Sequence, residues 1–172
     1  DKFKKVFPER HFNMGIAESN MMSVAAGLAT TGKIVFASSF AMFASARALE
    51  QIRNSIAYPR LNVKVCASHA GITVGEDGAS HQCIEDIAFM RAIPGMIILN
   101  PCDDDTTRKA IKAVYEYNGP CYVRLGRLTV DPVYDESVDF EIGKSILIKD
   151  GKDVTVIATG IMVQEAVKAE KI

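Results

Sequence analysis

Residues 15–37 read Gly-Ile-Ala-Glu-Ser-Asn-Met-Met-Ser-Val-Ala-Ala-Gly-Leu-Ala-Thr-Thr-Gly-Lys-Ile-Val-Phe-Ala, a helical pattern followed at once by a strand pattern. Apolar side chains recur at helical spacing as far as Thr31, and Gly32 is placed to end that helix. Residues 33–37 are then a short apolar run, which predicts a strand buried on both faces. A helix that leads directly into a doubly buried strand is typical of an α/β fold.

The same alternation of helix and strand patterns continues along the chain. Helices are predicted at 40–57, 83–91 and 103–117, and strands at 62–68, 96–100 and 121–125. The aspartates at 103–105 stand where the positive end of a helix favours negative charge. We therefore predict an α/β domain over residues 1–130, in which a parallel sheet is sandwiched by helices.

The C-terminal part of the chain departs from this alternation. Asp131-Pro132 and the acidic residues after it predict a linker over residues 131–150. Residues 151–172 are expected to open a second, truncated domain, with a strand at 153–159 and a helix that begins after Gly160.

Composition limits the classes of function. The chain has 172 residues, of which 48% are apolar, and a formal net charge of −1. A near-neutral balance offers no general basic surface for nucleic acid or for a membrane. The longest apolar runs, such as residues 96–99, are too short to cross a bilayer. Residues 1–5 are polar and do not resemble a signal peptide. We expect neither nucleic acid nor a membrane as a partner.

The four cysteines are Cys66, Cys83, Cys102 and Cys121, and no two of them form a Cys-x-x-Cys pair. Their spacing therefore disfavours a structural zinc site. A disulfide framework is also not expected in a chain with this much core. We interpret them as small buried hydrophobic residues of a protein in the reducing cytoplasm.

Unusual polar residues fall where the predicted strands end. His69 follows the strand at 62–68, Asp77 and His81 lie in the loop after it, and Arg127 follows the strand at 121–125. Open parallel sheets bind ligands outside the carboxyl ends of their strands. These four side chains are therefore candidates for a binding site.

The loop of residues 69–82 has three possible interpretations. Its glycines at 71, 75 and 78 match neither the Walker nor the Rossmann spacing, which disfavours a simple mononucleotide or NAD site. Two histidines and an aspartate could bind a metal, but their spacing is loose and no cysteine joins them. A purely structural loop is a second interpretation, and a substrate-binding loop of donors and acceptors is the one we favour.

Glu18 is the second anomaly of the sequence. Met21, Met22 and Ala25 follow it at i+3, i+4 and i+7, which places the carboxylate on the apolar side of its helix. Such a carboxylate must be hydrogen-bonded or protonated, because burial alone raises its pKa. A simple electrostatic or capping role at the helix start is the alternative.

Four segments together resemble the transketolases, enzymes that use thiamine diphosphate. The segments, in family order, are Asn13-Met-Gly-Ile-Ala-Glu-Ser-Asn-Met21, Ser38-Ser-Phe-Ala-Met-Phe43, Gly71-Ile-Thr-Val-Gly-Glu-Asp-Gly-Ala-Ser-His-Gln82 and Arg124-Leu-Gly-Arg127. The resemblance covers roughly residues 10–130 and implies the pyrimidine-binding domain of the thiamine diphosphate-binding fold. Residues from Asp153 resemble the opening of the family's C-terminal domain.

The resemblance implies a role for three residues towards the cofactor. Glu18 would hydrogen-bond the N1′ atom of the aminopyrimidine, so that the cofactor can lose its thiazolium C2 proton and attack a ketose carbonyl. Phe40 and Phe43 would hold the pyrimidine ring from one side of a helix. Without the resemblance, ordinary core packing would be the preferred interpretation of both phenylalanines.

The resemblance also implies contacts to the sugar substrate. Asp77 and His81 would contact its hydroxyl groups, and His69 would lie nearer its far end or its phosphate. Arg127 would bind the phosphate, for which the forked donors of arginine are suited. A solvated surface charge is the alternative for Arg127. Glu18 and His81 are the residues expected to be catalytic.

Two departures from the family bear on activity. Some transketolases carry a third aromatic residue after the phenylalanine pair, where this chain has Ala44-Ser45-Ala46. The chain also lacks the Gly-Asp-Gly…Asn segment that holds Mg²⁺ and the diphosphate. We therefore expect this chain to be inactive alone. The half of the site that binds Mg²⁺ and the diphosphate would come from an N-terminal transketolase subunit or domain, in a homodimer or heterotetramer.

The expected activity is the transfer of a two-carbon ketol unit from a ketose phosphate to an aldose phosphate in the pentose phosphate pathway. Deoxyxylulose phosphate synthase and the beta subunit of a 2-oxoacid dehydrogenase are related alternatives. The loop sequence Gly75-Glu-Asp-Gly-Ala-Ser-His-Gln82 favours transketolase. A non-enzymatic binding or assembly module is a third hypothesis.

Overall fold

The computed structural model describes residues 2–171 and shows an all-parallel sheet of four strands. The strands are β1 (Val35–Phe40), β2 (Val63–Ser68), β3 (Ile97–Leu99) and β4 (Cys121–Arg124). Their order across the sheet is β1-β2-β4-β3, so that β2 and β4 are central. The α/β fold with a parallel sheet is confirmed.

Helices connect and cover the strands. They are α1 (Lys2–Val6), α2 (Glu18–Thr30), α3 (Asp86–Arg91), α4 (Asp104–Glu116) and α5 (Met162–Ala169), with a short 3₁₀ helix at Pro8–Arg10 and two π-helical segments, π1 (Met42–Arg47) and π2 (Gln51–Ala57). None of the helices within residues 2–171 is long and apolar enough to cross a membrane.

The hydrophobic core lies between β2 and the helices. All of β2 from Val63 to Ala67 is buried. The prediction of a strand buried on both faces at 33–37 is wrong, because β1 lies at the edge of the sheet and Phe36 is 43% exposed. Met22 and Ala25 of α2 are buried in the same cluster. All four cysteines are buried and free, which confirms their interpretation as small hydrophobic residues.

The helix predicted at 40–57 has a different start and a different hydrogen-bond pattern. Phe40 is the last residue of β1, so Phe40 and Phe43 do not share a helix, and that part of the prediction is wrong. The helical turns are wide: the Tyr58 amide bonds the Arg53 carbonyl, five residues back. The Ser45 hydroxyl donates to the Ala41 carbonyl at 2.6 Å, which competes with a normal helical bond to that oxygen.

The strand predicted at 153–159 does not form. This segment has no regular structure, and Val154, Val156 and Ile157 are exposed. A strand requires a neighbour to pair its amide and carbonyl groups, and no strand of the described residues lies beside this segment. The helix predicted after Gly160 is present as α5.

Asp103 fixes the start of α4 and also the segment that follows β4. Its carboxylate accepts the Thr106 amide in a capping box, as the aspartate run predicts, and accepts the amides of Val133 and Tyr134, both at 2.9 Å. Burial would raise the pKa of Asp103, but the hydrogen bonds from Thr106, Tyr134 and Val133 outweigh it and lower the pKa.

Asp103→Ala should lower the free energy of unfolding by about 1–2 kcal/mol, because a helix cap is lost. A carboxyl group whose pKa is lowered on folding stabilises the protein above its unfolded pKa, and that contribution is lost as the pH falls through the folded pKa. Urea unfolding at neutral and acidic pH measures both effects. Asp104→Ala, at an exposed neighbour, is the control; an equal loss for both variants would contradict the assignment.

Candidate active site

The site lies at the C-terminal ends of β1 and β2 and at the N-terminal end of α2. Phe40 ends β1, His69 follows β2, and Glu18 is the first residue of α2. Phe43 in π1 and His81 in the long loop complete the group. The structure therefore brings together five of the seven residues predicted from the sequence.

Glu18 is a buried carboxylate with two side-chain partners. It is 6% exposed, the Ser39 hydroxyl donates to its Oε1 at 3.1 Å, and Arg47 Nη1 donates to its Oε2 at 2.7 Å. The expectation of a buried, hydrogen-bonded carboxylate is confirmed. Its place as the first helical residue also fits the helix-start interpretation, so the two interpretations are compatible.

The electrostatics of Glu18 favour the hydrogen-bonded carboxylate over the protonated one. Burial would raise the pKa of Glu18, but hydrogen bonds from its own backbone amide, Arg47 and Ser39, together with the charge of Arg47, lower the pKa below its usual value. The carboxylate is therefore held as an anion in this structure.

Four aromatic rings pack against one another, and Arg47 links them to this carboxylate by lying over the Phe43 ring. Phe40 stacks on His69 with 3.8 Å between ring centroids, and Phe43 meets the edge of His81 at 5.1 Å. The Phe40 and Phe43 centroids are 6.5 Å apart. His69 thus packs directly against Phe40.

Each histidine is held by the serine that precedes it. His69 Nδ1 is 3.0 Å from the Ser68 hydroxyl, and His81 Nδ1 is 3.0 Å from the Ser80 hydroxyl. His69 has a φ of 58°, in the left-handed region that few non-glycine residues adopt. Such backbone strain is concentrated at functional sites, where surrounding contacts maintain it.

The two remaining predicted residues lie at the loop rather than among the rings. Asp77 is exposed in the loop of residues 69–82. Arg127 is 39% exposed, and its guanidinium lies 3.5 Å from Glu76 Oε2 and beside Gly75. The structure therefore places Arg127 beside this loop, with its side chain partly open to solvent.

A buried ion pair fixes the base of the same loop. Arg124 Nε and the Tyr122 hydroxyl both donate to Asp86 Oδ2 at 2.8 Å, and Arg124 Nη2 donates to the Cys83 carbonyl at 3.4 Å. Gly71 and Cys83 exchange two backbone hydrogen bonds where the loop begins and ends. Arg124 is thus a structural residue of the loop.

Sequence reasoning missed Arg47, Ser39 and the Asp86–Arg124 pair. Arg47 could have been found, because it is the single charged residue in the apolar run of residues 40–49, the same anomaly that marks Glu18. Ser39 and Asp86 carry no comparable signal. Among residues 2–171 no cluster of three or more His, Cys, Asp or Glu side chains could hold a metal ion.

The sequence matches a known protein family over most of its length. The model of the family described as "Transketolase, pyrimidine binding domain" matches residues 1–132. A Methanocaldococcus jannaschii protein provisionally named as a transketolase C-terminal section is 60% identical over 172 residues, covering 99% of this chain and 54% of that protein. A 6-deoxy-6-sulfo-D-fructose transketolase subunit of Clostridium sp. strain MSTE9 is 44% identical, covering 98% of this chain and 52% of its own length.

The fold also matches a solved structure. A protein described as a split-gene transketolase in an inactive β4 tetramer superimposes with a TM-score of 0.90 at 55% sequence identity. The match covers 98% of this chain and 55% of that chain. This chain therefore spans about half the length of the relatives that it matches.

Proposed function

Because the chain belongs to the transketolase family, we propose that it supplies the pyrimidine-binding half of a thiamine diphosphate-dependent transketolase active site. The observation that carries the proposal is the buried carboxylate of Glu18, which Arg47 connects to the neighbouring rings of Phe43 and Phe40. A carboxylate and two phenyl rings are the groups that an aminopyrimidine needs: a proton partner and apolar faces.

The residues present fit the aminopyrimidine end of thiamine diphosphate. Phe40 and Phe43 would bind the pyrimidine ring and exclude water from it, and Glu18 would hold a proton shared with the N1′ atom. When bound, the cofactor supplies a carbon nucleophile that stores the electrons of the transferred two-carbon unit. The chain's own contribution is to orient the ring and to place a proton at one nitrogen.

His69, Asp77, His81 and Arg127 are proposed to bind the sugar phosphate. Both histidines have Nδ1 beside a serine hydroxyl, which leaves each Nε2 to meet a substrate hydroxyl. His81 would in addition carry a proton to or from the substrate oxygen, since an imidazole ring can both donate and accept a proton through its nitrogens. The Arg127 guanidinium lies beside the loop and would bind the phosphate group.

The other half of the site is proposed to come from an N-terminal transketolase subunit or domain. That half would bind Mg²⁺ and the diphosphate, in a homodimer or a heterotetramer. The proposal is supported by relatives whose names describe a subunit or a C-terminal section. The split-gene relative that is described as inactive when it contains β chains alone supports the expectation that this chain needs a partner for turnover.

The sugars named for the relatives differ, so neither is assigned to this chain. One matched subunit is named for 6-deoxy-6-sulfo-D-fructose and another for apulose 4-phosphate. We propose a ketose phosphate donor and an aldose phosphate acceptor, as in the pentose phosphate pathway, and a cytoplasmic location.

A two-substrate assay of the complex with its diphosphate-binding partner tests the proposed reaction. Xylulose 5-phosphate with ribose 5-phosphate should give ketol transfer, whereas pyruvate with glyceraldehyde 3-phosphate should give no product. The opposite result would assign the chain to deoxyxylulose phosphate synthase. If neither substrate pair reacts and cofactor still binds, a binding or assembly module is the better description.

Arg127→Ala should raise KM about 10- to 100-fold for phosphorylated sugars, because a hydrogen bond from a charged donor to phosphate is lost. KM for unphosphorylated sugars should stay nearly constant. Glu76→Ala, which removes the ion-pair partner and keeps the guanidinium, is the control and should not raise KM. Equal increases for both kinds of sugar would argue against a phosphate contact.

A further inference from the structure

Arg47 connects the buried carboxylate to the aromatic rings. Its Nη1 lies 2.7 Å from Glu18 Oε2, and its guanidinium carbon lies 4.5 Å from the Phe43 ring centroid. The Ser19 hydroxyl, next in sequence to Glu18, donates to the Arg47 carbonyl at 3.2 Å. Both the side chain and the backbone of Arg47 are therefore fixed relative to the start of α2.

This pair differs from an ordinary surface ion pair. Exposed pairs contribute little, because water screens both charges. Here the Glu18 side chain is 7% exposed and the Arg47 side chain 47% exposed, so one charge is desolvated and the other remains partly hydrated. A buried carboxylate that lost this cationic contact would be left uncompensated. Stacking on Phe43 also restricts the planar guanidinium to one orientation.

We propose that Arg47 is a positioning residue of the active site. It keeps Glu18 ionised, so that a proton shared between Glu18 and a cofactor ring nitrogen lies towards the nitrogen. The inference rests on the proposed function. The guanidinium touches the carboxylate directly, whereas a ring nitrogen bound to Glu18 is separated from the guanidinium by the carboxylate. The positive charge therefore stabilises the carboxylate anion more than it disfavours a protonated ring.

Among the groups around Glu18, Arg47 is the one that accounts for the stabilisation of the Glu18 anion. Ser39 on β1 donates a neutral hydrogen bond to the other carboxylate oxygen. The other titratable groups of the cluster, His69 and His81, pack on Phe40 and Phe43. Arg47 is the charged side chain whose hydrogen bond and charge both act on Glu18.

The first test needs no cofactor. This chain is labelled with ¹³C at its glutamate carboxyl groups, combined with an unlabelled partner and titrated with pH by NMR. The Glu18 signal is assigned from its absence in Glu18→Gln. In the wild type the Glu18 signal should titrate below the usual glutamate range. Arg47→Met and Arg47→Gln should both move its midpoint upwards, and Arg47→Lys should restore it in part. Arg53→Met, at an exposed arginine of π2, is the control and should not move it.

The second test is the rate of the loaded complex. Arg47→Met should lower kcat about 10- to 100-fold with little change in KM for the sugars, because the effect acts through Glu18 and not on the substrate. Arg47→Lys should recover part of the rate. Thermal unfolding identifies a variant that fails to fold, and the Gln variant then replaces the Met variant.

The outcomes separate this inference from the proposed function. An unchanged Glu18 titration in both neutral variants would overturn the role of Arg47, even if Glu18→Gln abolishes activity. The role would also be overturned if Arg47→Lys were as impaired as Arg47→Met in both tests. Full activity of Glu18→Gln would instead overturn the proposed function itself.

Discussion

Glu18→Gln is expected to lower kcat for ketol transfer by about 10²- to 10⁴-fold, the range that a positioned proton-transfer group contributes. Glutamine is close in shape to glutamate and can still accept the Ser39 hydroxyl, but it cannot hold or release a proton at the ring nitrogen. KM for the sugar phosphates should change little, because the proposed contact of Glu18 is with the cofactor and not with the sugar.

A measurement of the melting temperature should show that the loss of kcat in Glu18→Gln is not caused by a folding defect. Arg47 is half exposed and can bond water when its carboxylate partner is removed, so the melting temperature should change little. Glu50→Gln is a matched control, because Glu50 is an exposed glutamate bonded to Gln51 and Asn54. Near wild-type activity of Glu18→Gln in the complex would mean that the role is misassigned.

Arg124→Met is expected to have the largest effect on stability. It would leave Asp86, which is fully buried, with the Tyr122 hydroxyl and without its cationic partner. Removing one member of a buried ion pair costs about 3–5 kcal/mol, because the remaining charge is uncompensated. The base of the loop at Cys83 would also lose a hydrogen bond, so activity should fall together with stability.

Two further variants test the cause of that loss. Arg108→Met breaks an exposed ion pair with Asp104 and should cost no more than about 0.5 kcal/mol. The double variant Asp86→Leu with Arg124→Met removes both charges and should recover much of the stability of the single variant. If urea unfolding gave equal losses for Arg124→Met and Arg108→Met, the buried pair would not be a main anchor of the loop.

The sheet and most helices follow from sequence pattern. Apart from the buried Lys64, β2 is apolar as far as Ala67 because it is covered on both faces, and such runs can be recognised in a sequence. Glu18 was identifiable for a related reason, since a carboxylate on the apolar face of a helix needs a partner. Burial of Met22 and Ala25 on that face confirms the spacing argument.

The errors arise where long-range contacts override local pattern. Phe40 belongs to β1 because pairing with Ser68 of β2 extends the strand beyond Ala37, and a helical spacing of Phe40 and Phe43 cannot reveal that pairing. The segment at 153–159 has a strand pattern without a neighbouring strand to pair with. The partner of Glu18 was missed because spacing shows which face a residue occupies but not which side chain of another element meets it.

Ketol transfer measured while the diphosphate-binding partner is titrated into this chain tests the central claim most directly. With thiamine diphosphate and Mg²⁺ in excess, we expect no turnover of xylulose 5-phosphate and ribose 5-phosphate by the chain alone, and a rate that rises with partner and saturates when the two halves are equal in number. Turnover by this chain without any partner would contradict the account.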